Sequence, residues 1–310
     1  MRGKIIAMAV AVLILLFSIG YVSQLAPKEP INLLGETPAE QPLQIFNYER
    51  TPVFSENLRF NHNNISFNIE SNCSEKKSSA MKEAFDIFHN KMEIISFYEV
   101  TEDSDITVFC SDDIIKLGNN LFAAGEGGPS EIINTSGFKT ITKGKIYLYK
   151  DPRCDRPVVE IHELLHVFGF DHVKNPKSLM YNVSACDQKI TPDMIELINK
   201  LYSIKPLPDA RISELSATKR GKYLDFNITV LNEGLIAIDN ISLSLLSEGK
   251  QIDRMYLEGI GIGYGRTMRA TNMGLPSSSV STINFIIDYE SAVEEINEDN
   301  NIVQMTVATV

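Results

Sequence analysis

Three of the chain's five histidines fall within eleven residues, in the run His162-Glu163-Leu164-Leu165-His166-Val167-Phe168-Gly169-Phe170-Asp171-His172. Four residues apart on a helix, His162 and His166 lie one turn above the other on the same face, so both imidazoles can reach a single metal ion. Glu163 is badly placed as a further ligand. It is well placed to take a proton from water that a bound zinc ion has brought to a pKa of about 7. Gly169 predicts the end of that helix, because a residue without Cβ adopts the left-handed conformation that turns the chain back. The turn delivers His172 as third ligand. Five specified residues in eleven arise by chance in roughly one chain of this length in 10⁵. A bare His-Glu-x-x-His is as often a polar helix face as a site, but Gly169 and His172 weigh against that reading. A structural zinc would close its fourth position with another Cys or His, and none stands at ligand spacing.

The elements that must position these residues can be read from periodicity. Between Ser74 and Glu93, Met81, Ala84, Phe85, Phe88 and Met92 recur at the three-and-four spacing of a helix packed on a sheet. Ile106 to Phe109 and Lys145 to Tyr149 read as strands. Pro157 and Glu160 mark the start of the histidine helix, where proline fits the first turn and a carboxylate suits the positive end of the dipole. A further helix is expected with Thr191 as cap, Pro192 at its first position, and Met194, Leu197, Ile198 and Leu201 along one face. His62 and His89 stand alone and read as surface or packing histidines.

The extended motif HExxHxxGxxH followed by a methionine turn is the metzincin pattern, and this chain resembles the matrixin branch through Asn175-Pro176-Lys177-Ser178-Leu179-Met180-Tyr181. The resemblance implies an α+β metzincin-like catalytic domain over 46–205, with a mixed sheet, a zinc helix and Met180 in the Met-turn. It implies one catalytic Zn²⁺ held by His162, His166 and His172, with Glu163 as general base in peptide-bond hydrolysis. In astacin-like and serralysin-like relatives a zinc-binding Tyr follows the Met by two residues; here that position is Asn182. By resemblance to matrixins, Tyr181, Asn182 and Val183 would wall the pocket for the side chain after the cut bond. Such enzymes add the substrate as a strand to a sheet edge, and Leu121 to Ile133, with its Gly125-Glu126-Gly127-Gly128 bend, is the candidate edge. Matrixin latency uses a propeptide cysteine in a Pro-Arg-Cys-Gly context. The partial echo Pro152-Arg153-Cys154-Asp155 lies in the wrong place, directly before the zinc helix, and no cysteine precedes Cys73.

An apolar run from Ile5 to Val22 follows Arg2 and Lys4, so 1–24 reads as a signal peptide or signal anchor that sends the rest of the chain outside the cell. Residues 25–45, proline-bearing and aperiodic, read as a linker. Four cysteines without a Cys-x-x-Cys pair suit an oxidising compartment. Cys154 with Cys186 would clamp both sides of the metal site and leave Cys73 with Cys110, although other pairings and free thiols are formally open. Six Asn-x-Ser/Thr sequons, at Asn64, Asn72, Asn134, Asn182, Asn227 and Asn240, are usable glycosylation sites in a host that modifies exported proteins.

From Pro208 the pattern changes to short alternating runs such as Tyr223 to Val230 followed by the turn Asn232-Glu233-Gly234. This predicts an all-β immunoglobulin-like sandwich over 208–310. The segment is similar to a CARDB domain, a prokaryotic surface adhesion module, through Val230-Leu231-Asn232-Glu233-Gly234 and Val293-Glu294-Glu295-Ile296-Asn297-Glu298-Asp299-Asn300-Asn301. A net charge of −11 argues against nucleic acid and anionic membrane surfaces as partners. It leaves room for Ca²⁺, which many metzincins bind, but no Asp-rich loop shows a ligand pattern. The expected function is therefore an extracytoplasmic zinc endopeptidase acting on protein or peptide substrates, secreted or held at the membrane by an uncleaved N-terminal segment. A non-catalytic surface adhesion or peptide-binding protein is the alternative, and the intact Glu163 weighs against it.

Overall fold

The computed structural model describes residues 29–39, 52–118 and 121–307. The expected signal or anchor segment and all of the expected linker except 29–39 lie outside the described residues. No helix among the described residues is long and apolar enough to cross a membrane.

A strand, β1 (Ile31–Leu34), comes first in the chain and belongs to the second unit. The first unit is built from β2 (Leu58–Phe60), β3 (Asn64–Ile69), helix α1 (Glu75–Met92), β4 (Ser96–Glu99), β5 (Ile106–Cys110), the small hairpin β6 (Lys116–Gly118) and β7 (Leu121–Phe122), β8 (Gly125–Asn134), β9 (Lys139–Leu148), α2 (Val158–Val167) and α3 (Pro192–Ser203). Its sheet is mixed. Strands β4, β3, β5, β9 and β2 pair in parallel, and β8 alone runs antiparallel, along β9. β8 covers one side of β9 from Lys139 to Leu148, the same length over which β2 and β5 share the other side. β8 is therefore a free edge, as expected for the glycine-containing segment, although it begins at Gly125 and not at Leu121.

Helix α1 buries the apolar stripe that its spacing predicts, Met81, Ala84, Phe85, Phe88 and Met92. The Ser74 side chain accepts the Lys77 N–H at 3.3 Å and caps it. The stripe meets an aromatic cluster in which Phe168, just beyond α2, stacks on Phe88 at 4.7 Å and meets the edge of Phe60 at 5.7 Å. Thr191 precedes α3 as expected but its side chain does not cap it: its hydroxyl is buried with no hydrogen-bond partner among the described residues, while Pro192 fits the first helical position, where an N–H would otherwise stand unpaired. The far end of α3 is held by a residue that periodicity does not flag. Fully buried Arg59 of β2 donates to the carbonyls of Leu201 and Ile204 and lies 4.6 Å from the centre of the Tyr202 ring, a cation at the negative end of a helix. Two disulfides join Cys73 to Cys110 and Cys154 to Cys186, the pairing in which one bond flanks the histidine helix and the other ties the approach to α1 to the end of β5.

The second unit comprises β10 (Ala210–Arg220), β11 (Tyr223–Asn232), β12 (Ile238–Ser247), β13 (Lys250–Ile260), β14 (Gly265–Gly274), β15 (Thr282–Ile287) and β16 (Ile302–Val307). Alternation buries Leu224, Phe226, Ile228 and Val230 of β11 against Leu243, Leu245, Phe285 and their neighbours, as a two-layer sandwich requires. The strand order is β13-β12-β15-β16-β1-β10-β11-β14. Part of the segment read as linker is thus a strand: Ile31 and Asn32 pair with Lys219 and Thr218 of β10, while Leu33 and Leu34 pair with Val307 and Thr306 of β16. Its four residues are too few to show alternation, and the surrounding prolines mask it. The units also touch through Ser136, whose hydroxyl donates to Glu233 at 2.5 Å while Glu233 holds Arg211 through both of its oxygens.

Leu33 is 5 % exposed in the sandwich core. Leu33→Ala is expected to cost about 2–5 kcal/mol and to speed amide exchange in β15 and β16, far away in sequence, which hydrogen-exchange mass spectrometry would read.

Candidate metal centre

Val158–Val167 is almost wholly buried, so α2 is an interior helix walled by β8, β9 and α1 and not an amphipathic surface helix. Such close packing needs missing side chains on the sheet. A Cβ at Gly127 would lie 2.2 Å from the Glu163 carbonyl oxygen, one at Gly125 would lie 2.7 Å from the Glu163 Cγ, and one at Gly144 would lie 2.5 Å from a Val167 methyl. Gly125 and Gly127, two apart on β8, lay the strand against the backbone of the helix at Glu163. Gly169, at φ +93°, ends the helix and reverses the chain, as its position predicts.

The three histidines come together. The Nε2 atoms of His162 and His166 are 3.0 Å apart, those of His162 and His172 3.2 Å, and those of His166 and His172 3.3 Å. Ligands about 2.0–2.1 Å from a tetrahedral zinc are separated by about 3.3–3.4 Å, so the triangle is close to zinc size. Each inner imidazole uses its other nitrogen on a backbone carbonyl: His162 Nδ1 meets Leu179 O at 2.5 Å, and His166 Nδ1 meets Phe170 O at 2.7 Å. A carbonyl only accepts, so these Nδ1 atoms carry the proton and both Nε2 lone pairs face the common point. Burial pushes the His162 imidazole down to about 4, the neighbouring His166 and His172 push the same way, and the Leu179 carbonyl opposes them. His166 is lowered too, again first by burial. His172, by contrast, is exposed and leaves one side of the triangle open.

Glu163 is 6 % exposed beneath β8. Burial pushes its carboxyl up to about 8, Glu126 and Glu160 add to this, and a hydrogen bond to the Gly127 backbone works against them. Neutral imidazole lone pairs aimed at one point beside a carboxyl pushed upward lack one thing, which is positive charge. The donor set therefore fits a zinc ion. Among the described residues this is the one group of three or more His, Cys, Asp or Glu side chains that converges as metal ligands would.

Met180 is fully buried after Leu179, whose carbonyl orients His162, and its own carbonyl accepts the Val173 N–H at 2.9 Å, one residue past His172. Tyr181 is half-buried, and Asn182 and Val183 are exposed. They do not line the cavity of about 580 Å³ beside the N-terminal end of α2; its wall on that side is Ser184 and Cys186. The reason is covalent, because Cys186 is tied to Cys154 and draws the chain beyond the Met-turn towards the start of the helix. His62 and His89 lie away from the triangle, His62 against Asp105 at 3.1 Å and His89 against the Ile95 carbonyl at 2.6 Å.

The family model described as Matrixin matches residues 59–203, and the one described as CARDB matches residues 207–305. The chain joins a matrixin-family region to a CARDB domain. No curated protein matches it. Similar solved structures are CARDB or surface-protein domains. The crystal structure of a Pyrococcus furiosus CARDB domain in complex with di-metal ions is 19 % identical and covers 33 % of this chain and 94 % of its own, with a TM-score of 0.26. A domain of a Methanosarcina acetivorans cell-surface protein is 19 % identical and covers 34 % and 93 %, with a TM-score of 0.27. Strand β1 lies outside the CARDB match although it is paired within that domain. In the matrixin region, the glycine spacing on β8 is the positioning feature that reading for motifs passes over. Its signal is a Gly-x-Gly inside a candidate edge strand.

Gly127→Ala is expected to destabilise the matrixin region by about 1–3 kcal/mol through overpacking. Gly128→Ala, whose Cβ meets nothing within 4 Å, should stay within about 0.5 kcal/mol of the native protein. Thermal unfolding of the two variants side by side tests the contact.

Proposed function

We propose that the chain is an extracytoplasmic zinc endopeptidase. The observation that carries this reading is the Nε2 triangle with its two inner imidazoles fixed in the metal-binding tautomer and Glu163 packed beside it. His162, His166 and His172 would hold the ion. A zinc ion bound there supplies Lewis acidity and makes water acidic enough to attack at neutral pH.

The remaining work falls to the protein. The free edge of β8 offers unpaired backbone groups to an extended peptide, which adds as one more strand and so passes over α2 at Glu163. Glu163 takes the proton of the attacking water and delivers it to the amine nitrogen as the C–N bond breaks. The hydrogen bond between its carboxylate and the Gly127 backbone holds that group in place between the helix and the strand. Met180 and Leu179 floor the site and orient His162. Two disulfides support an oxidising compartment. In this reading the CARDB domain is a surface module that presents the enzyme to its protein substrates.

Zinc-loaded protein should cut an unstructured protein, a chelated sample should not, and Glu163→Ala should lose at least about 10²–10⁴-fold in kcat/KM while still binding one zinc per chain. His162→Ala should lose the metal itself. Mass spectrometry of new termini together with zinc analysis reads all four. Turnover that persists in Glu163→Ala would overturn the role given to that residue.

A further inference from the structure

Strand β8 is not a uniform edge. Its register on β9 shifts between Pro129 and Ile132, and Pro129 has no N–H to donate, so a bulge divides the strand into a near half, 125–128, and a far half, 131–134. The near half is fixed by its close packing on α2 at Glu163. The far half lies beyond that contact, and among the described residues no strand pairs with its outer side. Glu131, Ile132 and Asn134 are exposed there. What braces this half is the sandwich. The β8–β9 turn is closed by two hydrogen bonds, from the Thr135 N–H to the Phe138 carbonyl at 2.9 Å and from the Phe138 N–H to the Thr135 hydroxyl at 3.0 Å. Two turns of the CARDB domain meet it. In one, Glu233 accepts the Ser136 hydroxyl at 2.5 Å while Arg211 holds both of its oxygens, at 2.8 and 2.9 Å. Burial alone pushes the Glu233 carboxyl up, but the hydrogen bonds from Arg211 and Ser136 bring it below its ordinary value, so it stays charged. In the other, Gly263 at φ +71° comes so close that a Cβ there would lie 2.6 Å from an Ile133 methyl and 3.5 Å from the Asn134 carbonyl oxygen. These two turns are cross-braced: the Gly263 N–H donates to the Asn232 carbonyl at 2.8 Å, and the Asn232 N–H to the Tyr264 carbonyl at 2.9 Å.

We propose that the CARDB domain is a working part of the peptide-binding edge: through Glu233 and Gly263 it latches the β8–β9 turn and sets residues 131–134 as a recognition surface for peptide residues remote from the cut bond. The proposal rests on the peptidase reading above. Asn134 lies seven residues past Gly127, about 20 Å along a strand, so the partner is a long extended polypeptide and not a short peptide. Ile132, 40 % exposed, offers it an apolar contact, and the outer backbone groups of the far half offer it hydrogen bonds. Glu233 is a positioning residue, since its carboxylate meets Ser136 and Arg211 and lies in the other unit from the histidines. A buried ion pair of its kind is costly to desolvate and contributes little net stability. What the pair supplies here is a carboxylate held in one orientation towards Ser136.

The test compares the zinc-loaded full chain with Ser136→Ala, which removes only the hydroxyl between the units, and Ser136→Thr, which keeps one. All are made in a host without N-glycosylation, because Ser136 also completes the sequon at Asn134. In hydrogen-exchange mass spectrometry, residues 131–134 should exchange threefold or more faster in Ser136→Ala, with α2 unchanged, and at the native rate in Ser136→Thr. Cleavage is then measured on one short peptide and on versions extended by about eight residues on either side. Extension on one side only should raise kcat/KM tenfold or more in the native protein. Ser136→Ala should lose threefold or more of that gain through KM with kcat kept, the loss being confined to the extended peptide, and Ser136→Thr should restore it. Unchanged exchange overturns the latch. A missing one-sided gain, or a gain indifferent to Ser136, overturns the recognition role and leaves the peptidase reading standing. If no form cuts any peptide, the peptidase reading fails and fluorescence anisotropy of the labelled peptides decides. Binding of the long peptide weakened threefold or more in Ser136→Ala upholds the surface; any other result overturns it too.

Discussion

Imidazole lone pairs that converge within 3.3 Å repel one another, and much of the matrixin region can be understood as what holds them there. The Leu179 and Phe170 carbonyls fix the two inner rings. Each carbonyl is in turn fixed by a turn of the chain: Phe170 by the reversal at Gly169, Leu179 by the loop that buries Met180. Both lie beyond α2 in sequence, so the helix carries two of the three histidines while the chain that leaves it supplies their orientation. That division explains why the motif continues past the helix. His-Glu-x-x-His alone would place two rings and leave them free to rotate.

The second constraint is steric. α2 is buried on nearly all sides, and β8 can lie across it only because Gly125 and Gly127 present no side chain to Glu163. The same contact brings the free edge of the sheet to the Glu163 carboxylate, so one packing solution sets both the environment of Glu163 and the course of that edge past it. Gly144 repeats the device one strand further in, against Val167.

Elements with strong local signals were legible in the sequence. The α1 stripe, the histidine helix with its stop at Gly169, and α3 behind Pro192 all follow from spacing and from the conformational limits of glycine and proline. So does the meeting of His162 and His166, because four-residue spacing translates directly into a shared helix face. What was not legible depends on long-range contact. β1 is four residues long and obtains its hydrogen bonds from strands near 218 and 306. Arg59 looks like a surface cation until the carbonyls at the end of α3 are brought to it. The resemblance gives Tyr181 to Val183 a pocket wall, whereas the cavity at the N-terminal end of α2 is lined by Ser184 and Cys186, which the Cys154–Cys186 bond brings there. Burial of Glu160 likewise depends on how α2 lies against its neighbours, which helix-start statistics do not encode.

The chain enters the sandwich at β1, leaves it for the whole matrixin region, and returns at β10, the strand to which β1 is paired. β1 is also paired with β16, so the incoming and final strands of the sandwich are neighbours. In mechanical terms the matrixin region is a loop hung from the side of a closed clamp. Tension reaching the chain through the residues before Ile31 or beyond β16 is carried by hydrogen bonds between adjacent strands of the sandwich. None of it passes through α2 or the sheet that holds the histidines. Pulled at these points, the protein would keep the geometry of its histidine cluster until the sandwich itself gave way.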